Sequence, residues 1–246
     1  MNIIKLNAID STSLFLKDLS KKGSLENFTT VVADAQFKGK GQMNTQWHSA
    51  DGKNLLFTVY VVLTGLSIGL APCVSFLAAL KTRAVLDEIL GTKTKIQIKW
   101  PNDIMSYNQK IAGILVENKI KKDTISETFI GIGLNVNQLE FPDFLPNATS
   151  MSAISGVDYN RDTILKQILN EFKKVLTVDY IVDNKELIKK EYLSYLFKLN
   201  IPSMFKDKQG NVFMAKVINV SDEGLLIVEK EDEVQYSYAV KEISFL

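Results

Sequence analysis

Apolar and polar positions alternate along the chain with two periods, and the switches between them mark its elements. Residues 3–8 predict a short strand; Asp10 or Ser11 then caps a helix with Leu14, Phe15 and Leu19 on one side, closed by Gly23. Strands are predicted over 29–33 and 55–63, a helix over about 72–90, and further strands over 95–100, 111–116 and 129–136. Helical spacing returns over 161–178, where Ile164, Ile168, Leu169, Phe172 and Leu176 share a face, and over 184–197. Residues 37–49 are small and polar, with Gly39, Gly41 and Asn44, and read as a loop too loose for regular structure. From about Asn200 the texture changes to short strands over 204–206, 212–220, 225–229 and 236–240, separated by turn signals. The expectation is an α+β fold: a mixed β-sheet with flanking helices over 1–197 and a small β module over 198–246 packed on it.

Composition narrows the classes. With 246 residues, 46% apolar and 23% charged, the chain is long enough for one substantial core and a small extra domain, and disorder is excluded. Lys and Arg number 29 against 28 Asp and Glu, so no global positive field exists to hold a nucleic-acid backbone, and no nucleic-acid partner is expected. One cysteine, Cys73, and one histidine, His48, leave no disulfide and no His/Cys zinc cluster, so both read as structural, no metal ligands are assigned, and a cytoplasmic location is expected. The uncharged stretch 54–80 is long enough to cross a bilayer, but Thr64, Gly65, Ser67, Gly69 and Pro72 would break a spanning helix. It reads instead as strand, turn and core helix, with no membrane partner.

Three stretches carry candidate chemistry. The loop from Phe37 to Asn44 contains Lys38, Gly39, Lys40, Gly41 and Gln42, so backbone amides can approach an anion while lysines neutralise it. It is neither a Walker loop nor a dinucleotide fingerprint, and a solvated hairpin remains the alternative. Lys99 ends an apolar strand and is followed by Trp100, Pro101, Asn102 and Asp103, with Lys110 and Gly113 further on. Such a lysine is held in place, as a charge facing a transferring phosphoryl group must be; alone, the pair also fits an exposed lysine beside a core tryptophan. Gly131 and Gly133 alternate within an apolar strand that runs out at Asn135, which fits either a ligand laid against the sheet or a bulge.

In this order the stretches resemble the biotin protein ligases, which attach biotin to a lysine of carboxylase carrier domains. The resemblance covers nearly the whole chain. It rests on Ser11-Thr12-Ser13, on Ala33 to Gln36 with the glycine loop Gly39 to Trp47, and on Gly52 to Thr58. It continues through Lys-Trp-Pro-Asn-Asp-Ile at 99–104, Lys-Ile-Ala-Gly-Ile-Leu at 110–115 followed by Glu117, and Gly-Ile-Gly-Leu-Asn-Val-Asn at 131–137.

The resemblance implies a class II synthetase-like catalytic sheet, an SH3-like C-terminal barrel, and a two-step reaction. Biotin and ATP give biotinyl-5′-AMP and pyrophosphate, and the lysine of a biotin carboxyl carrier protein then attacks the mixed anhydride. It implies biotin contacts from Ser11, Thr12, Ser13, Gln36, Gly39, Lys40, Gly41, Gln42, Lys99, Gly113 and Leu115, and nucleotide contacts from Trp47, Asn102, Lys110 and Asn135. Lys99 and Lys40 carry the catalytic charge, Lys99 bridging the biotin carboxylate and the α-phosphate, and Mg2+ rides on the phosphates. Residues 138–148, with two prolines, are a candidate lid. The start of the chain at the catalytic strand implies a monofunctional ligase without the winged helix by which some members repress transcription, and either a monomer or a homodimer fits.

Two alternatives stand beside this reading: a lipoate or octanoate ligase of the broader fold, and a non-catalytic biotin-sensing or carrier-binding module. In the glycine loop Lys40, Gln42 and Thr45 stand where the family has arginines, and Asn44 replaces a glycine, so bidentate guanidinium contacts are missing and retention of the adenylate is expected to be weaker.

Overall fold

The computed structural model describes residues 2–42, 45–91 and 94–246. A seven-stranded sheet is built from β1 (Ile3–Ile9), β2 (Thr30–Gln36), β3 (Leu55–Ser67), β4 (Ile96–Lys99), β5 (Asp103–Ser106), β6 (Gln109–Lys121) and β7 (Thr124–Leu134), in the order β1-β2-β3-β7-β6-β5-β4. β1 and β2 run parallel and every other pairing is antiparallel, so the sheet is mixed. Beyond it β8 (Pro202–Asp207), β9 (Val212–Val220), β10 (Leu226–Lys230), β11 (Gln235–Tyr238) and β12 (Ile243–Phe245) form a second, antiparallel sheet.

Helices cover the two faces of the large sheet unequally. α2 (Ala71–Leu90), α4 (Arg161–Val175) and α5 (Val178–Ser194) fill one face, where Leu77, Leu80, Phe172 and Tyr192 pack in a single core with strand residues such as Phe57, Ile114 and Ile132. α1 (Thr12–Lys22) covers only part of the other face, its Leu16 wedged among Val31, Tyr60 and Phe129. The stretch Ile68–Leu90 is apolar and long enough to cross a membrane by length and composition, and it is the core helix expected from its breakers, with Val74, Leu77 and Ala78 fully buried.

Same-face positions along β6 and β7 explain where the open surface lies. Phe129 lies under α1, but the next two residues on that face of β7 are Gly131 and Gly133, paired across to Leu115 and Gly113 of β6. Beyond the N-terminus of α1 this face of the sheet carries no helix among the described residues. A Cβ at Gly131 would stand 2.9 Å from the Ser13 Oγ, so the first turn of the helix rests on that glycine.

The small sheet docks through specific bonds. Trp100 Nε1 donates to the carbonyl of Gly224 in the β9–β10 turn at 3.0 Å, and Lys189 pairs with Asp222.

Several elements differ from expectation. The helix predicted over 161–178 stops at Val175, because the Thr177 hydroxyl accepts from Tyr180 N and starts α5 there. The start expected at residue 184 is instead a kink within α5, where Asn184 leaves helical geometry and its side chain donates to Tyr180 O. β5, α3 (Met151–Ser155) and β12 are not among the predicted elements, and the β6–β7 hairpin extends well past its apolar half into polar residues 117–128. The loop 37–49 is not wholly irregular: Trp47 N donates to Gly39 O, Gly41 N to Thr45 O, and Lys40 bridges Gln46 as a small hairpin. The Asn44 substitution lies outside the described residues.

Candidate active site

The helix-free patch is the floor of a cavity of about 450 Å³, walled by the start of α1, the glycine loop, the β4–β5 turn and β12 of the small sheet. Of the residues expected from the sequence, Ser11, Thr12, Ser13, Gln36, Lys40, Gly41, Gln42, Trp47, Lys99, Asn102, Lys110, Gly113 and Leu115 all line it. Gly39 and Asn135 do not. Gly39 is buried beneath the loop, where a Cβ would stand 2.8 Å from Trp47 O, so its part is to let the hairpin close. The side chain of Asn135 is buried and only partly paired. Its side chain donates to Thr149 O at 2.9 Å and its backbone joins Ile111 O and Met151 N, so it ties the end of β7 to the following segment. Its Oδ1 is buried without a hydrogen-bond partner among the described residues.

One end of the cavity is neutral and internally bonded. Thr12 N and Oγ1 both donate to Gln36 Oε1, at 2.7 and 3.0 Å, and the Thr12 and Ser13 hydroxyls each meet the Thr58 hydroxyl, at 2.9 and 3.0 Å. Helix start, end of β2 and centre of β3 thus converge on one hydrogen-bonded cluster. Thr58 was not singled out from the sequence, although the 52–58 block contains it; its place opposite Gly131 in the β3–β7 register is the signal that marks it. Ser11 occupies the N-cap of α1 without a side-chain cap bond, which leaves its hydroxyl free of the helix.

The other end is charged. Lys99 sits half-buried at the tip of β4, and no carboxylate lies within ion-pair distance of it among the described residues; its Nζ lies 5.2 Å over the ring of Phe245. Burial holds its pKa below the usual lysine range, Asp103 opposes that shift, and Lys110 and Lys198 add to it. Asp103, directly across from Lys99 in the β4–β5 register, is engaged by Lys110 at 2.7 Å. The Asn102 side chain donates to Ile114 O and its backbone carbonyl accepts from Ile114 N, so the residue stitches the turn to β6.

Between the ends lies Trp47. Its indole covers the Gly113–Gly133 pair so closely that a Cβ on Gly133 would collide with it and one on Gly113 would stand 3.0 Å from it. Lys110 lies 5.4 Å over the same indole, and the Trp47 Nε1 is buried with no partner among the described residues. Lys40 is exposed at the rim. The 138–148 segment is pinned at its far end, where Lys110 N donates to Asn147 O and Thr149 N to Lys110 O, and Phe144 meets the His48 ring edge-on at 5.0 Å. Cys73 is a free buried thiol whose pKa burial pushes up, in keeping with its structural reading.

Chemically, the cavity offers fixed neutral donors and acceptors at one end and an unneutralised ammonium at the other, without a nucleophile held by a base. A family model described as the Biotin/lipoate A/B protein ligase family matches residues 6–135. The bifunctional ligase/repressor BirA of Bacillus subtilis is 31% identical over 241 residues, 97% of this chain and 72% of that protein. The biotin--[acetyl-CoA-carboxylase] ligase of Paracoccus denitrificans is 33% identical over 106 residues, 43% of each chain. Among solved structures, the biotin protein ligase of Aquifex aeolicus in complex with biotin and ATP superposes with a TM-score of 0.76 at 26% identity, covering 100% of this chain and 98% of that one.

Proposed function

The chain belongs to the biotin/lipoate A/B protein ligase family, and from that premise we infer that it is an ATP-dependent biotin protein ligase. In the first step a biotin carboxylate oxygen attacks the α-phosphorus of ATP, the bond to the β-phosphate oxygen breaks, and biotinyl-5′-AMP and pyrophosphate form. In the second, the amine of a carrier-protein lysine attacks the acyl carbon and AMP leaves. Alignment and charge neutralisation suffice for both, which agrees with a site that holds no covalent nucleophile.

The observation that carries the reading is the single cavity joining the Thr12–Gln36–Thr58 cluster to Lys99. The ureido ring of biotin is neutral and needs donors and acceptors in fixed positions, which Ser11, Thr12, Ser13 and Gln36 provide. Lys99 bridges carboxylate and α-phosphate, two anions that repel until a cation stands between them. Its half-buried place raises the strength of that contact, because little water screens it. Lys40, Gly41 and Gln42 close over the carboxylate from the rim. Trp47, with an unused indole N–H, and Lys110 lie on the nucleotide side, while Asn102 holds the turn that positions Lys99.

Mg2+ enters with the nucleotide. Carried on phosphates, such an ion needs few protein ligands. The division at 197/198, a carboxylase carrier as acceptor and work in the cytosol belong to the same reading. Labelled biotin supplied with ATP, Mg2+ and a carrier domain is expected to appear on one carrier lysine, with one pyrophosphate released per turnover and no labelling when lipoate replaces biotin. Lipoate transfer at the rate of biotin, or neither transfer nor pyrophosphate release, would overturn it.

A further inference from the structure

Lys99 meets an aromatic ring, with no carboxylate in ion-pair distance among the described residues. The ring belongs to Phe245, near the end of the chain, and it is held in place by its neighbours. Phe245 pairs with Phe205 in the β12–β8 register, the two rings lie 4.6 Å apart, and the Phe197 ring meets it edge-on at 5.8 Å. Phe205 is fully buried, and Leu246 N donates to Met204 O, which fastens the backbone beyond the ring. The Phe197 N–H bonds the carbonyl of Ile98, the residue before Lys99, so the aromatic cluster and the lysine share one backbone anchor.

Resting on the ligase reading, we propose that Phe245 is the positioning residue for the Lys99 ammonium. An ammonium that must neutralise two incoming anions cannot be held by a carboxylate, which would cancel its charge and have to be displaced. A ring face attracts the cation through its quadrupole yet leaves its charge and its N–H donors free. The competing partner is removed as well, since Asp103 is committed to Lys110. Two like charges press on the amine, Lys110 from β6 and Lys198 from the link into the small sheet, and the ring offsets part of that repulsion. The small sheet thereby acts on the chemical step through one side chain, in addition to walling the cavity.

The test uses the full chain and reads biotin- and ATP-dependent pyrophosphate release. Phe245→Leu is expected to lower kcat about tenfold with the KM for biotin unchanged, and Phe245→Tyr, which keeps the ring face, to restore it. Because Phe245→Leu also disturbs packing, a second series places one, two and three fluorines on the Phe245 ring, which drains the quadrupole at nearly constant volume. kcat is expected to fall stepwise with fluorination while the melting temperature stays level. Lys198 lies 5.8 Å from the same ring, so the series is repeated with Lys198→Gln, where the same slope is expected. A kcat indifferent to fluorination, or a slope that vanishes with Lys198→Gln, would overturn the proposal. Both outcomes require an unmodified enzyme that releases pyrophosphate; its silence would instead refute the ligase assignment.

Discussion

The two ends of the cavity are built on opposite principles. At the neutral end the hydroxyl of Thr58 is shared by Thr12 and Ser13, and Gln36 Oε1 by two donors of Thr12, so these polar groups are paired before any ligand arrives. At the charged end Lys99 is half-buried over a ring with no carboxylate in ion-pair distance among the described residues, and Asp103 is given to another lysine. A neutral ligand head exchanges hydrogen bonds one for one, and a preformed network fixes its orientation at little cost. A reacting pair of anions needs charge that nothing has yet neutralised, and the fold bears the cost of keeping it so.

The comparison breaks most visibly at Lys99. Lys99→Met is expected to slow pyrophosphate release by about 10²–10³-fold, the range for loss of one preorganised charge-stabilising group, without loss of fold. Thermal denaturation supplies the second half. Burial lowers the folded-state pKa of Lys99, so the unfolded chain holds more protons between that value and the ordinary lysine value, and wild-type stability rises with pH across that window. Lys99→Met is therefore expected to melt higher than wild type at neutral pH, with the gap closing as pH climbs through the window. A variant that melts lower throughout would mean that Lys99 stabilises the fold.

Gly133→Ala attacks the boundary between the ends. Its methyl group collides with the Trp47 indole, and displacement on the scale of overpacking, about 1–3 kcal/mol, should lower kcat/KM for ATP roughly tenfold or more in steady-state kinetics. Thr58→Val is confined to the neutral end. Losing the shared hydroxyl is worth about 1–2 kcal/mol, which should raise the KM for biotin about tenfold and leave kcat within about twofold. The smallest effect belongs to the rim, where Gln42→Arg restores a guanidinium and should slow dissociation of biotinyl-5′-AMP severalfold. A release rate that does not fall would show that Gln42 is not what limits retention.

The same contrast divides what the sequence made legible. Lys99, Trp100 and Asp103 stand in one contiguous run at a strand end, so the charged end could be read from order alone. The neutral end is assembled from a helix start, a strand end and a strand centre, and Thr58 belongs to it only through the β3–β7 register that sets it against Gly131. Asn135 shows in sequence only as a strand-end amide, whereas the fold gives its Nδ2 the carbonyl of Thr149 and leaves its Oδ1 unpaired among the described residues. Core elements such as α2 followed from their apolar runs, while β5 and the outer halves of β6 and β7 carry too many polar residues to show strand periodicity. Phe245 gave no signal: a three-residue strand near the chain end acquires meaning only when the small sheet folds back over β4.

The central claim, that Lys99 waits as a desolvated and unneutralised ammonium, is tested most directly by titrating its Nζ by NMR in the free enzyme and with a non-hydrolysable biotinyl-adenylate analogue bound. The account predicts a pKa below the ordinary lysine value in the free state and a marked rise when the anionic analogue binds. An amine that titrates as an ordinary lysine in both states would contradict it.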